Sequence, residues 1–405
     1  MLDLVKLARQ MQGMSQHLSQ EATAARKRME LAEAALRNAR PRQDELVSRQ
    51  EQWRDRLGFT AAQPLEPLDT RVLIDPAPDA HTVVATDGSQ IAPSHHEIAY
   101  CYLINVGRVV LHYGQSRYPL LDSLPEVFYR PEDLYVSRQW GIRTEEWMGY
   151  QRTVSEAIAL AELATHHAAV ADQTQQLSLL TAPTGPTLAM VDGSLIHWFL
   201  EPLPLDARDR LLPPMLDAWD QLQSAKIPLV GYLSASRSGE ALNFLRLHTC
   251  PFDAPDCQTH CVGKPDQAPC QVFSPLRDAV LWSAVLQPGE RGTIWKSSAQ
   301  ILDAYGQHQI CFCYVHVGAE IARIEFPQWV AEDKAMLNTA LSLALTQVQK
   351  GYGYPVALAE AHNQAVVRGG DRTRFFALLE QQLVRAGLTN IGTSYKEARK
   401  RGSIA

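Results

Sequence analysis

Apolar residues recur at Leu4, Leu7, Met11, Met14 and Leu18, at intervals of three and four, and an Ala-, Glu- and Arg-rich stretch continues to about residue 58. Such spacing lays one apolar stripe along a helix. Pro41 falls inside the pattern, where a proline loses a backbone hydrogen bond and clashes with the preceding turn, so two helices are expected around it. The repeat is too irregular for a regular coiled coil. Residues 1–62 therefore read as a helical, coiled-coil-like arm, either a hairpin or dimer arm or a helix packed on its own domain.

Pro64, Pro67, Pro76 and Pro78 mark a linker into the main body, residues 80–405. A β-branched run at 81–87 reads as a buried strand ending in Asp-Gly. Two more strand-like runs, 98–106 and 109–113, are separated by Gly107-Arg108, which reads as a tight antiparallel connection. A long helix is expected over 144–169, and a strand at 187–191 that again runs into Asp-Gly-Ser at Asp192. Helix-like and strand-like segments then alternate at 206–225, 227–233, 240–247, 310–317, 319–325, 330–348 and 373–386. This is a mixed α/β pattern without internal repeats.

The 405 residues are 46% hydrophobic and 20% charged, enough for a sizeable core without covalent staples. The net charge of −6 argues neither for nor against nucleic acid, since phosphates are held by local clusters of Lys and Arg. One such cluster stands at the C-terminal end, where Arg368, Arg372, Arg374, Arg385, Lys396, Arg399, Lys400 and Arg401 face only Asp371, Glu380 and Glu397. It reads as a phosphate-facing surface or as an ordinary solvated helix face. No secretory signal or membrane-length apolar run is present, so a soluble, cytoplasmic protein with no membrane partner is expected. Seven cysteines, an odd number, do not form a disulfide framework.

The sharpest chemical feature is the pair of Asp-Gly-Ser sequences at Asp87 and Asp192. A single Asp-Gly is commonly a turn. Two copies, each closing an apolar strand, converge if those strands are neighbours in one sheet, and paired carboxylates hold hard cations such as Mg²⁺ and Mn²⁺. A third carboxylate is expected from the intervening helix, which carries Glu145, Glu146, Glu156 and Glu162. Glu156 and Glu162 lie about 120° apart around the helix axis, so one of them faces the sheet; Glu156 is preferred and Glu162 held in reserve. Near the other end, Gly353-Tyr354-Pro355 opens a helix carrying His362. That histidine is either an ordinary packed or surface residue, or a ligand and proton donor in a metal site.

Taken in order, these blocks resemble the NurA nuclease family: the first Asp-Gly-Ser, the helix glutamate, the second Asp-Gly-Ser, and the Gly-Tyr-Pro block with its histidine. Residues 233–238, a Ser-rich strand end, and 323–329, Arg-Ile-Glu-Phe-Pro-Gln-Trp, strengthen the resemblance, which runs from about residue 80 onward. It implies an RNase H-like mixed sheet flanked by helices and a manganese-dependent DNA nuclease, both 5′ to 3′ exonuclease and single-strand endonuclease. It also implies work on broken DNA ends with a hexameric HerA-type ATPase, and a homodimer. By position, Asp87, Glu156, Asp192 and His362 would serve the metal and Tyr354 would complete the site. Arg237, Arg323, Arg372 and Arg374 are the candidate DNA contacts, although Arg323 could equally pair with Glu325 within its strand. The other readings are a catalytically silent DNA-binding adaptor for a translocase ring, and a different phosphoryl-transfer enzyme such as a ribonuclease or phosphatase.

One departure from the family pattern is the Pro- and Asp-rich insertion at about 248–272, with Cys250, Cys257, Cys261 and Cys270 beside His248 and His260. Four thiolates hold zinc or an iron–sulfur cluster, but this spacing matches no standard zinc motif, and reduced loop thiols or disulfides remain alternatives.

Overall fold

The computed structural model describes residues 3–94, 99–177, 185–263 and 267–387. Lys396, Glu397, Arg399, Lys400 and Arg401 of the basic C-terminal cluster lie outside the described residues, as does Ile98. In chain order the main elements begin with α1 (Leu4–Ala39), α2 (Gln43–Trp53), β1 (Gln63–Pro64), β2 (Val72–Leu73), β3 (His81–Ile91), β4 (Tyr102–Tyr113) and β5 (Leu120–Phe128). There follow α3 (Pro131–Leu134), α4 (Thr144–Leu177), β6 (Thr187–Asp192), α5 (Leu205–Ser224), β7 (Leu229–Leu233), α6 (Glu240–Thr249), α7 (Cys257–His260) and α8 (Asp278–Val285). The rest are β8 (Glu290–Arg291), β9 (Trp295–Lys296), β10 (Ile310–His316), β11 (Ile321–Pro327), α9 (Gln328–Glu332), α10 (Lys334–Lys350), α11 (Val356–Ala365) and α12 (Gly369–Arg385). The architecture is mixed α/β, with mostly antiparallel strands flanked by helices.

By compactness the chain forms two units, each of two stretches. One unit joins residues 1–75 to 232–331, and the other joins 76–231 to 332–405. In the first unit, α1 and α2 are separated by a short 3₁₀ turn at Arg40–Arg42 that contains Pro41. Ala32, Ala35, Leu36, Ala39 and Leu46 are buried in one core with Phe244, Trp282, Trp295 and Tyr314. The second half of α1 therefore packs on its own unit, whereas Leu4, Leu7, Met11, Met14 and Leu18 are exposed. The long hairpin of this unit, β10 against β11, is antiparallel from Ile310↔Pro327 to His316↔Ile321, with Cys311 and Cys313 buried in it.

The second unit is built on β3, β4, β5 and β6. β3 pairs antiparallel with β4 over eleven positions and parallel with β6, and β4 pairs antiparallel with β5. Two expectations need correction here. β3 does not end at Asp-Gly but runs through Gly88 to Ile91, and β4 is one strand from Tyr102 to Tyr113 rather than two joined at Gly107. Both glycines serve packing instead. A Cβ on Gly107 would stand 2.3 Å from the Ala361 carbonyl oxygen, so its absence lets α11 lie directly on β4. β5, not anticipated from the sequence, is the last strand in the order and carries Pro125, which an edge strand tolerates because its outer N–H groups need no partner. Among the described residues, no helix is long and apolar enough to cross a membrane.

Candidate metal centre

Asp87 and Asp192 sit at adjacent positions on neighbouring parallel strands, one residue beyond the Thr86↔Val191 pair. Side chains in register across a sheet share a face, so both aspartates point the same way. They face the α11 layer, because Asp87 is paired with Gly107, the residue on which α11 rests. This face supplies two further predicted residues. His362 on α11 brings Nδ1 to 2.8 Å from Asp87 Oδ2, while 65% of its side chain remains exposed. The Tyr354 hydroxyl, placed just before α11, donates a hydrogen bond to Asp192.

The end of α11 is pinned to the same strands. The Ala365 carbonyl accepts from the Asn105 side-chain amide at 2.8 Å and from the Ser89 hydroxyl. At its start, the Gln347 side-chain oxygen on α10 accepts from the Ala357 N–H at 3.1 Å. The histidine thus rides on a helix tied down at both ends.

Glu156 arrives from the other layer. Residues alternate faces along a strand, so Thr86 and Gly88 point opposite to Asp87, toward α4. The Thr86 hydroxyl donates to the Glu156 carbonyl at 3.0 Å, and a Cβ on Gly88 would lie 2.2 Å from Glu156 Oε1. Only a glycine leaves room for that carboxylate at the strand. Glu162 is exposed and belongs to the surroundings of Arg108, and Glu146 accepts from the Tyr150 hydroxyl at 2.9 Å near the exposed start of α4. Glu145 is exposed as well. The helix thus contributes one glutamate to the cluster.

Electrostatically the cluster is short of positive charge. Burial pushes the Glu156 carboxyl up to about 7; the nearby Arg152 guanidinium opposes this, and the Asp87 and Asp192 charges add to it. Burial also raises Asp192, with Asp87 adding to the shift while Tyr354 and His362 counter it. Although 18% of the Glu156 side chain is exposed, its Oε1 atom is buried without a hydrogen-bond partner. Arg152 Nε lies 3.2 Å from that oxygen but is misaligned for a hydrogen bond. An orphaned buried acceptor among three carboxylates fits a hard divalent cation, so Asp87, Glu156 and Asp192, with His362 at the edge, are the residues that could hold one. As placed, no three His, Cys, Asp or Glu side chains among the described residues form an assembled coordination sphere.

Arg152 has no role in the sequence reading, though its spacing of four from Glu156 puts both on one helical face. Of the candidate DNA contacts, Arg372 and Arg374 are exposed on α12, Arg372 over the Phe376 ring and Arg374 at 3.7 Å from Asp371. Arg237 is exposed in the first unit. Arg323 is not available to a phosphate. It is 2% exposed, 2.8 Å from both Glu240 and Glu325, and its guanidinium lies over the Phe312 ring. Of the two readings the sequence offered for Arg323, this burial favours the ion pair within its strand, which here also ties β11 to Glu240 on α6.

A family model described as NurA domain matches residues 81–367 of the chain. Among solved structures, the chain is similar to the crystal structure of the NurA nuclease from Sulfolobus solfataricus. That match has 10% identity and a TM-score of 0.48, covering 95% of this chain and 98% of that one. It is also similar to a crystal structure of NurA bound to dAMP and manganese, at 11% identity and a TM-score of 0.32, covering 83% and 94%. No curated protein gives a significant match.

Proposed function

The chain belongs to the NurA domain family, and on that premise we propose that it is a divalent-metal-dependent DNA nuclease. The observation that carries the reading is the meeting of Asp87 and Asp192 on one face of neighbouring strands, with the buried Glu156 carboxylate, ion-paired to Arg152, close enough from the α4 side of β3 to feel both charges. Three carboxylates with an imidazole at their edge suit Mn²⁺ or Mg²⁺, which bind through oxygen ligands. Such an ion, when bound, supplies an activated water and neutralises the charge developing on a phosphodiester.

The chain's own residues divide the remaining work. Asp87 and Asp192 form the floor of the site. Tyr354 orients Asp192 by its hydrogen bond, and Asp87 orients the imidazole through Nδ1. That bond leaves the Nε2 edge of the exposed ring to deliver a proton to a departing oxygen, a step worth typically ~10²–10⁴-fold. Arg152 offsets the buried carboxylates and, turned outward, can meet a phosphate oxygen. Arg372 and Arg374, in the same unit as the carboxylates, are the exposed cations proposed to position the DNA strand, and Arg237 is a separate candidate contact on the other unit.

We further infer from family membership the finer activities, 5′ to 3′ exonuclease and single-strand endonuclease action in DNA end resection. A homodimer and a HerA-type hexameric ATPase partner rest on the same ground. The test is cleavage of end-labelled single- and double-stranded DNA, RNA and a small phosphoester with Mn²⁺, with and without the ATPase. Asp87→Asn and Asp192→Asn are each expected to lower DNA cleavage by ~10²-fold or more, since losing a metal ligand forfeits several kcal/mol of transition-state stabilisation. Cleavage that persists in both variants removes the site assignment. A wild-type chain that binds DNA but never cuts it is instead an adaptor for a translocase ring.

A further inference from the structure

The Cys-rich insertion lies wholly within the first unit and takes no part in the carboxylate cluster. Its four cysteines, twenty residues apart from first to last, line a single small cavity. Cys250, Cys257, Cys261 and Cys270 share that lining with Phe59, Leu247, Phe252 and His260. Cys261 is near enough to feel the charge of the other three, and Cys250 that of Cys257 and Cys270. All are free, whereas the remaining three cysteines of the chain, Cys101, Cys311 and Cys313, are buried elsewhere. We propose that these four thiolates bind one zinc ion that cross-links the insertion to the end of α6.

Three features argue for it. First, the segment's own hydrogen bonds already fix the backbone that carries the thiols. Arg49 donates to the carbonyls of Leu247 at 3.1 Å and Asp253 at 2.9 Å, and also to that of Phe252. Asp256 caps α7 through the Thr259 N–H at 3.0 Å and is itself held by Arg56 at 2.8 Å, which leaves Cys257 and Cys261 on one short turn. Second, Arg246 donates to Cys270 Sγ at 3.6 Å, the kind of outer contact that stabilises a metal-bound thiolate. Third, the histidines are not competing for the role: His260 is stacked on Phe252 at 4.2 Å, and His248 does not line the cavity.

The space among the four sulfurs is small, with room for about one water-sized sphere, which suits a single ion. Soft thiolates in a set of four select zinc among the common single ions. The sulfurs have not closed onto a common point, so the proposal requires rotation about the χ1 bonds of the cysteines, each a choice among staggered wells.

The test uses the full chain purified without chelator and needs no nuclease assay. Elemental analysis is expected to find about one zinc per chain. Cys257→Ser with Cys261→Ser should abolish it and Cys101→Ala should not. Because the double variant could misfold, the wild-type protein is also titrated with a mercurial thiol reagent. Zinc should appear in solution in step with modification of these four thiols, and a strong chelator should lower the melting temperature. Absence of zinc overturns the proposal. So do iron with the visible absorbance of a cluster, thiols that react only after reduction, or zinc that survives modification of all four cysteines.

Discussion

Two residues without side chains decide whether the carboxylate site exists. Gly88→Ala places a methyl group 2.2 Å from Glu156 Oε1 and 2.7 Å from Arg152 Cγ. Both atoms are on movable side chains, so the fold should survive with a loss of about 1–3 kcal/mol while Glu156 is driven from the site. The expected result is a normal far-ultraviolet spectrum with Mn²⁺ affinity and cleavage each down by ~10-fold or more. Gly107→Ala is harsher, because its methyl meets backbone, the Ala361 carbonyl and the Ala365 N–H. It should displace α11, lower the melting temperature and remove His362 from Asp87 at once.

Glu156 also sets a pH dependence. Its carboxyl, raised by burial to about 7, keeps a proton that an unfolded glutamate releases near its ordinary 4.5. The folded state therefore binds more protons across that window, and the metal-free protein loses stability as pH rises between the two values. A cation needs the deprotonated form, so Mn²⁺ affinity should climb as pH passes through about 7 and then level off. Glu156→Gln should flatten both curves, stabilising the metal-free chain near neutrality while weakening Mn²⁺ binding. Thermal melts from roughly pH 4 to 8 and calorimetric Mn²⁺ titrations from roughly pH 6 to 8 read the two effects. A wild-type affinity that does not change with pH contradicts the buried carboxyl.

At the scale of elements, α11 acts as a carrier for His362, and its seat on β3 and β4 is built from small or polar residues: Gly107, Ser89 and Asn105. Asn105→Leu keeps the bulk but leaves the Ala365 carbonyl with the Ser89 hydroxyl as its remaining side-chain donor, a loss of about 0.5–1.5 kcal/mol. Activity should fall more than stability alone explains, since the helix end is freed next to the site. The hairpin β10–β11 follows the opposite design, with charge buried inside it. Arg323 is shared by Glu240 and Glu325, and its removal leaves carboxylates buried without a counter-charge. Arg323→Ala is expected to destabilise the first unit by ~3–5 kcal/mol in urea unfolding. Among molecules that remain folded, DNA affinity should be unchanged, and a selective loss of DNA binding would return Arg323 to the interface.

For the whole molecule, the two units are assembled from discontinuous stretches, and the N-terminal helices belong to the first. Deleting residues 1–20 removes Leu4, Leu7, Met11, Met14 and Leu18, all of them exposed. The remaining chain is expected to fold with a melting temperature within a few degrees of the parent. Deleting residues 1–62 takes away Ala32, Leu36, Leu46 and Ala61 from a core they share with Trp282 and Trp295. Large-to-small losses at such positions cost roughly 2–5 kcal/mol per leucine, so that truncation should yield aggregated protein. Size-exclusion chromatography and circular dichroism of the two deletions separate these outcomes. The exposed stripe left on the first half of α1 is the part of the helix open to another surface.

Read in order along the chain, residue type and spacing alone determined the mixed α/β class, most helices to within a few residues, and the paired Asp87 and Asp192 with a helix glutamate as candidates; Tyr354 and His362 joined that set through the family resemblance. These were legible because apolar periodicity and matching Asp-Gly-Ser blocks are local properties of the chain. The edge strand β5 was not, since an exposed strand lacks the apolar alternation that reveals buried ones. Gly88 and Gly107 were misread for a related reason: as letters they look like turns, and only a helix crossing the sheet shows that each is empty to admit a neighbour. Arg323 likewise shows no sign of its burial until β10 and β11 close around it. Whether two aspartates a hundred residues apart meet depends on strand order and register, which long-range packing sets and no short window contains. Tertiary structure alone placed β6 beside β3 in parallel, and with it both aspartates on a single face.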